Sequence, residues 1–129
     1  MNTDPTRIKL EQSDITEQII GSAFEVYRVL GYGFLEKVYQ RAMQVELQLR
    51  GLKAEMEPKL KVQFKGVIVG DYAADLLVED VVIVELKTSP SFNTADEAQL
   101  INELKGTGIR VGLLINFGRQ KVEFQRRVF

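Results

Sequence analysis

The sequence predicts a mixed α/β domain, in which a mixed β-sheet is flanked by helices and the elements follow in the order ααβββαββ. Three observations support this fold class. Apolar residues recur at helical spacing in the first part of the chain, the period changes to two after Pro58, and one more helical segment separates two groups of strands. With 129 residues and 45% hydrophobic side chains, the chain can bury one compact core. We expect residues 1–13 to be an N-terminal extension and residues 14–129 to form the domain.

Two helices are predicted before any strand. The first begins at the capping pattern Asp14-Ile-Thr-Glu17 and ends at Gly31. The second follows the break at Gly31-Tyr-Gly33 and ends at Gly51, because glycine readily adopts the left-handed conformation that closes a helix. A third helix begins at the capping pattern Thr94-Ala-Asp-Glu97 and stops at the next glycines.

Strands account for most of the remaining chain. They are predicted over residues 59–65, 67–78, 81–88, 109–117 and 121–129. The second and third of these form a hairpin that turns near Glu79-Asp80. The third is too continuously apolar to be an edge strand, so we expect it inside the sheet.

The composition excludes several classes of active site. The chain has no histidine and no cysteine, which excludes Ser-His-Asp catalysis, disulfide frameworks and thiolate metal sites. Carboxylates, lysines, tyrosines and metal-bound water remain. No apolar run is long enough to span a bilayer, and the N-terminus carries no apolar signal core. We therefore expect a cytoplasmic protein with no membrane partner.

The overall charge is slightly acidic. A net charge of −1 and a pI near 5.6 argue against strong, general binding to DNA. Basic side chains nevertheless gather before the hairpin and at the C-terminus: Lys53, Lys59, Lys61, Lys65, Arg119, Lys121, Arg126 and Arg127. We prefer to interpret them as ordinary solvated strand faces, and a local nucleic-acid patch stays open.

Two carboxylates stand in the otherwise apolar hairpin, Asp75 in its first strand and Glu85 in its second. An ionised carboxylate in a β core needs a partner, a metal or a proton, and two that are brought together repel unless a cation lies between them. Mg²⁺ is the most frequent such cation, because it prefers hard oxygen ligands and keeps several waters. We therefore predict that Asp75 and Glu85 bind Mg²⁺, with Mn²⁺ as a substitute and the main-chain carbonyl of Leu86 as a third ligand.

The parity of the hairpin connection tests this hypothesis. The two carboxylates share one face only if the connection has an odd number of residues, such as Glu79-Asp80-Val81, or contains a bulge. A two-residue turn at Glu79-Asp80 would place Asp75 opposite Val84 and would send the two carboxylates to opposite faces. We predict the odd connection or a bulge.

Lys87 follows Glu85 by two residues and therefore lies on the same side of its strand. At that position it would orient or deprotonate a metal-bound water, or neutralise a developing oxyanion. The alternative is a structural ion pair of Lys87 with Glu85 or Asp75 and no bound ligand.

Three separated motifs occur together in one order. They are Gly33-Phe-Leu-Glu36-Lys-Val-Tyr39, then Asp75 with Glu85-Leu-Lys87, and then Glu97-Ala-Gln99-Leu-Ile-Asn-Glu-Leu-Lys105. In this combination the chain resembles the PD-(D/E)XK nuclease superfamily from about Ile15 to its C-terminus. The first motif resembles the signature of the GxxExxY family of small nucleases. The resemblance implies a restriction-endonuclease-like core.

The resemblance also implies roles for three helix residues. Glu36 would join the metal site, and its alternative is a first-turn glutamate favoured by the helix dipole. Gln99 would be a catalytic amide that contacts Lys87, a water or a phosphate, and its alternative is a partly exposed helix residue. Tyr39 is expected to be a packed aromatic whose hydroxyl bonds to the site.

The chain departs from the family pattern at two positions. Members often have an arginine shortly before the motif aspartate and a histidine near the start of the third helix, whereas this chain has Ala73 and Asp96. Both changes remove groups that favour phosphate binding.

The function that we predict is a Mg²⁺-dependent phosphodiesterase acting on nucleic acid, DNA in preference to RNA. The rival is a non-catalytic binding or interaction module that retains the nuclease fold, which the acidic pI and the two departures favour. A hydrolase of small phosphoesters is a third class, and it needs a closed pocket instead of an open groove. A homodimer or a protein partner is left open.

Overall fold

A computed structural model describes residues 12–129 of the chain. Residues 1–11, which belong to the predicted N-terminal extension, lie outside the described part. Within it there are three helices, namely α1 (Ser13–Leu30), α2 (Glu36–Leu49) and α3 (Thr94–Thr107). The same residues form seven strands, namely β1 (Ala54–Met56), β2 (Lys59–Phe64), β3 (Val67–Ala73), β4 (Leu76–Val78), β5 (Val82–Lys87), β6 (Val111–Phe117) and β7 (Val122–Val128).

The main sheet has five strands in the order β1-β4-β5-β6-β7. Strands β5 and β6 run parallel, and all other neighbours in this sheet run antiparallel. Strands β2 and β3 form a separate, antiparallel sheet of two strands. A mixed sheet flanked by helices is the predicted fold class, and the restriction-endonuclease-like core is confirmed.

Helices cover both faces of the main sheet. On one face, α1 and α2 pack over the sheet, and Tyr39 of α2 stacks on Phe117 of β6 with ring centroids 4.3 Å apart. On the other face, Leu100 and Leu104 of α3 pack against Ile83 of β5. All of β6 and nearly all of β5 are buried, which explains why both strands read as continuous apolar runs.

The predicted strand over residues 67–78 is interrupted. The chain leaves one sheet at Ala74 and Asp75 and enters the other, so that β3 pairs with β2 while β4 pairs with β5. Strand β1 has three residues, too few to show a period, and has no counterpart among the predicted strands. The predicted order ααβββαββ is therefore wrong in detail, and the observed order is ααβββββαββ.

The two predicted capping patterns are displaced. Helix α1 begins at Ser13, and its N-cap residue Gln12 makes no side-chain capping bond. Helix α3 is capped by Asn93, whose Oδ1 accepts a hydrogen bond of 2.9 Å from Asp96 N. Both helices begin earlier than the patterns indicate, and for α3 the cause is the side-chain cap that Asn93 provides.

Across residues 12–129, no helix is long and apolar enough to cross a membrane.

Candidate active site

Asp75 and Glu85 lie opposite each other at one end of the β4–β5 hairpin, and each side chain accepts a hydrogen bond from the main chain of the other segment. The ladder pairs Leu76 with Val84 and Val78 with Val82, so Asp75 stands opposite Glu85. Asp75 N donates to Glu85 Oε1 at 2.9 Å, and Leu86 N donates to Asp75 Oδ2 at 2.6 Å. Each acid is thus held by the main chain of the other strand, and both lie at the same end of the hairpin.

The connection that produces this register has three residues, Glu79-Asp80-Val81. Glu79 and Asp80 adopt φ values of 52° and 61°, a left-handed conformation that polar residues tolerate better than β-branched ones. The odd-numbered connection required for a shared face is therefore confirmed.

The Asp75 main chain is fixed although it lies between two strands. Its carbonyl accepts hydrogen bonds from Gln40 Nε2 at 2.9 Å and from Glu57 N at 3.1 Å. Helix α2 and the segment leading into β2 therefore both position this residue.

Burial perturbs the two carboxyls strongly. Desolvation, followed by the charges of Glu103 and Asp75, raises the pKa of Glu85 to about 9. Desolvation also raises the pKa of Asp75, against the opposing hydrogen bond from Leu86 N and the charge of Lys87. Without a cation, protonation of a carboxyl removes both the cost of burying its charge and the repulsion from its neighbours.

Helix α3 brings an amide and a second acid to Glu85. Gln99 is exposed, and its Nε2 donates to Glu85 Oε2 at 3.2 Å. Both interpretations of Gln99 therefore describe it in part, because it is an exposed helix residue that contacts the site. Lys87 lies in the site, but its nearest carboxylate is Asp96 Oδ1 at 3.7 Å and not Glu85 or Asp75.

Glu103 is a site residue that the sequence analysis missed. It is 0% exposed and lies against Glu85 and Gln99, and burial is the main cause that raises its pKa. Neither carboxylate oxygen has a hydrogen-bond partner of good geometry within the described chain. The available signal was the spacing of four residues from Gln99, which places the two on one face of a helix.

Glu36 approaches the site from the other side of the sheet. It is the first residue of α2. Its position is therefore that of a first-turn glutamate, which the helix dipole favours. Desolvation, and then the negative charge of Asp75, raise the pKa of Glu36. The charge of Asp75 therefore acts on the Glu36 carboxyl.

The other two signature residues of this segment shape the chain and do not enter the site. Gly33 has a φ of 107°, a conformation that disfavours side chains. The expectation that the Tyr39 hydroxyl bonds to the site is wrong, since it donates to Gly31 O at 2.5 Å and accepts from Phe34 N at 3.4 Å. Tyr39 therefore fixes the turn from which Glu36 emerges.

The donor set fits a hard divalent cation. Asp75, Glu85 and Glu36 supply oxygen atoms, the ligands that Mg²⁺ and Mn²⁺ prefer. Burial first, and then neighbouring negative charge, raise the pKa values of these acids, and a cation that joins them would favour their ionised forms. Within residues 12–129, no three acidic side chains are already grouped at metal-holding spacing. Two carboxylates with main-chain oxygen and water make up a Mg²⁺ site of ordinary composition.

Comparison with solved structures finds similar folds. The crystal structure of SSO0001 matches with a TM-score of 0.54 and 19% identity over 96% of this chain, which spans 61% of that one. The Holliday junction resolvase Hjc of Archaeoglobus fulgidus matches with a TM-score of 0.44 and 17% identity, over 70% of this chain and 73% of that one. An alkaline exonuclease of Laribacter hongkongensis has a TM-score of 0.44 and 15% identity, over 99% and 72% of the two chains. At these identities the first likeness concerns the fold alone, and the two lower scores add nothing about function.

The comparison with curated proteins finds no match.

The family comparison is more specific. Residues 13–128 match the family model of the PD-(D/E)XK nuclease superfamily. That range contains Asp75, the Glu85-x-Lys87 strand and all the helices that surround them. The chain therefore belongs to the PD-(D/E)XK nuclease superfamily.

Proposed function

We propose that this nuclease-superfamily protein is a Mg²⁺-dependent phosphodiesterase that cleaves nucleic acid, DNA in preference to RNA, and that it belongs to the GxxExxY group. The observation that carries the proposal is the interlock of Asp75 with Glu85, in which each acid bonds to the main chain of the facing strand. A buried and a half-buried carboxyl so arranged are costly to a protein without a ligand.

The proposed ligands are Asp75, Glu85 and the Leu86 carbonyl, with Glu36 completing the site from α2. Mg²⁺, or Mn²⁺ in its place, would supply charge stabilisation to a phosphate and acidity to a bound water. Among the side chains, Glu85 is the most buried and is held by both Asp75 N and Gln99. It is therefore the ligand whose position varies least.

Two residues are proposed to act on the reacting groups. Lys87 is half-buried beside the carboxylates and presents its ammonium group to an attacking water or to a developing oxyanion. Gln99 donates to Glu85 from the exposed surface of α3, and its proposed role is to contact a phosphate as well.

One observation favours the second candidate, a non-catalytic module with the same fold. Lys87 faces Asp96, so a carboxylate already neutralises the charge that catalysis would use. In that case the site would bind a cation and nucleic acid without turnover.

Two measurements on one preparation separate these candidates. Mn²⁺ binding is measured by calorimetry, and cleavage of single- and double-stranded DNA and RNA is measured in Mg²⁺. We expect a cation site together with cleavage that chelation abolishes. Cation binding without cleavage of any of these substrates would favour the non-catalytic module, and absence of cation binding would overturn both.

A further inference from the structure

The β2–β3 hairpin is a separate sheet, and it packs on α3 through one side of β2. Leu60 is 7% exposed and packs with Leu100 and Leu104 of α3. Val62 lies so close to α3 that a Cβ added to Gly106 would be 3.1 Å from its methyl carbons. Since side chains alternate along a strand, the neighbours of Leu60 and Val62 face away from α3.

Two of those neighbours are the lysines Lys59 and Lys61. Lys59 and Lys61 are exposed, and neither forms an ion pair or a side-chain hydrogen bond with any residue between 12 and 129. Lys37 and Lys53, by contrast, pair with acids at 2.8 Å and 3.0 Å. The charges on β2 are therefore left available while comparable charges nearby are neutralised.

The opposite strand adds little negative charge. Strand β3 is exposed along all seven residues, and its one acid, Asp71, stands opposite Lys61 in the register without pairing with it. At the hairpin turn, Lys65 Nζ lies 5.4 Å from the centre of the Phe64 ring.

The two lysines lie on the strand that pairs with the segment leading into Asp75. Lys59 stands opposite Ala73, two residues before Asp75. Lys61 follows at a spacing of roughly 6.6 Å, because residues two apart on a strand are separated by twice its rise. The two lysines therefore start at the end of the hairpin from which the chain runs into Asp75.

We propose that the solvent face of the β2–β3 hairpin binds the phosphate backbone of the nucleic-acid substrate, with Lys59 and Lys61 each contacting a phosphate. The inference rests on the proposed function, because it assigns the partner of the same site. Charge complementarity favours a polyanion, and the continuity with Asp75 favours the chain that the site would cleave. An acidic protein overall needs such a local basic surface to hold a polyanion.

The test measures binding without cleavage. A fluorescent DNA of about one helical turn is titrated by anisotropy in EDTA at several salt concentrations, as duplex and as single strand. Each lost phosphate contact lowers the slope of log K against log salt by about 1. We expect Lys59→Gln with Lys61→Gln to weaken binding and to lower the slope by about 2.

The matched control removes two positive charges elsewhere. Lys105→Gln changes the end of α3, and Arg110→Gln changes the residue just before β6, at the end of the strands away from Asp75. We expect it to leave the slope unchanged. An equal loss of slope in both double variants would overturn the inference, because net charge alone would then explain it.

Asp71→Asn should change the DNA affinity in the opposite direction. Removing the acid opposite Lys61 should tighten binding if phosphates lie on this face. Failure of the wild type to bind DNA or RNA, or binding only to vesicles of anionic lipid, would overturn the inference. Since no cleavage is needed, a protein that binds through the lysines but does not cleave would contradict only the proposed catalysis.

Discussion

The ammonium group of Lys87 lies 3.7 Å from Asp96 Oδ1, and the two side chains are only 27% and 14% exposed. Lys87 belongs to β5 and Asp96 to the first turn of α3, so the contact joins the metal-site strand to the helix that covers it. Asp96 therefore partly neutralises the charge of Lys87, the lysine that the proposed catalysis would use.

Replacing Asp96 should remove this ion pair and leave the charge of Lys87 available to the substrate. We expect Asp96→Asn to raise the rate of nucleic-acid cleavage by up to about tenfold, which corresponds to about 1.4 kcal/mol of barrier. The gain should vanish in the double variant Lys87→Gln with Asp96→Asn. Single-turnover cleavage of both proteins checks this, and an equal gain in the double variant would show that Asp96 acts on something other than Lys87.

Lys87 itself should matter for turnover and not for cation binding. Lys87→Gln is expected to reduce cleavage by about 10²-fold, the scale of losing one electrostatic group in an active site. Mn²⁺ affinity by calorimetry should change little. Lys53→Gln is the matched control, because its ion pair with Asp80 lies at the other end of the hairpin. Cleavage that is unaffected by Lys87→Gln would remove the role assigned to this lysine.

A divalent cation should stabilise the folded protein through Asp75. A ligand that binds only the folded state contributes about 2.7 kcal/mol when its concentration is 100 times Kd. Mg²⁺ or Mn²⁺ should therefore raise Tm, and Asp75→Asn should abolish the increase. Asp80→Asn changes the same chemical group at the opposite end of the hairpin and should retain it. Equal increases in Asp75→Asn and the wild type would place the bound cation elsewhere.

Without a cation, stability should fall as the pH rises. The pKa of Glu85 is raised to about 9 and that of Glu103 is raised as well, each first of all by burial. Above about pH 4.5 the unfolded chain releases protons that the folded chain retains, so the free energy of unfolding decreases toward pH 9, by about 1.4 kcal/mol per pH unit for one retained proton.

Glu103→Gln should reduce this dependence, because it removes one buried acid and the charge that contributes to the raised pKa of Glu85. Urea unfolding in EDTA at pH 5, 7 and 9 measures the effect. Glu97→Gln, on the same helix but paired with Arg127, is the control. A stability that is flat over this range in the wild type would contradict the prediction.

The main elements of the fold, and the juxtaposition of Asp75 with Glu85, could be predicted from the sequence. Continuous apolar runs identified β5 and β6 as inner strands, and the carboxylates Asp75 and Glu85 stood out because charges are rare in such surroundings. The parity argument also selected the correct hairpin connection. These features depend on neighbouring residues or on the alternation of side chains along a strand, and both are visible in the sequence.

What the sequence did not show depends on contacts between distant elements. The interruption at Ala74 carries no proline or glycine signal, because it results from competition between two sheets for one segment. Glu103 resembles any other glutamate of an amphipathic helix until α3 is placed over β5. The partner of Lys87 likewise depends on where α3 begins, and its first residue was misplaced because Asn93 provides the cap.

Asp75 lies at the joint between the two sheets, where the chain leaves β3 and enters β4. Its carbonyl is held by Gln40 and Glu57, so a rotation of the hairpin would alter the Asp75 torsion angles before it disturbed the ladder of β4 with β5. Coupling of this kind is reciprocal. A polyanion that rotates the hairpin on binding should therefore change the affinity of Asp75 for a cation, and the cation should change the affinity for the polyanion by the same factor.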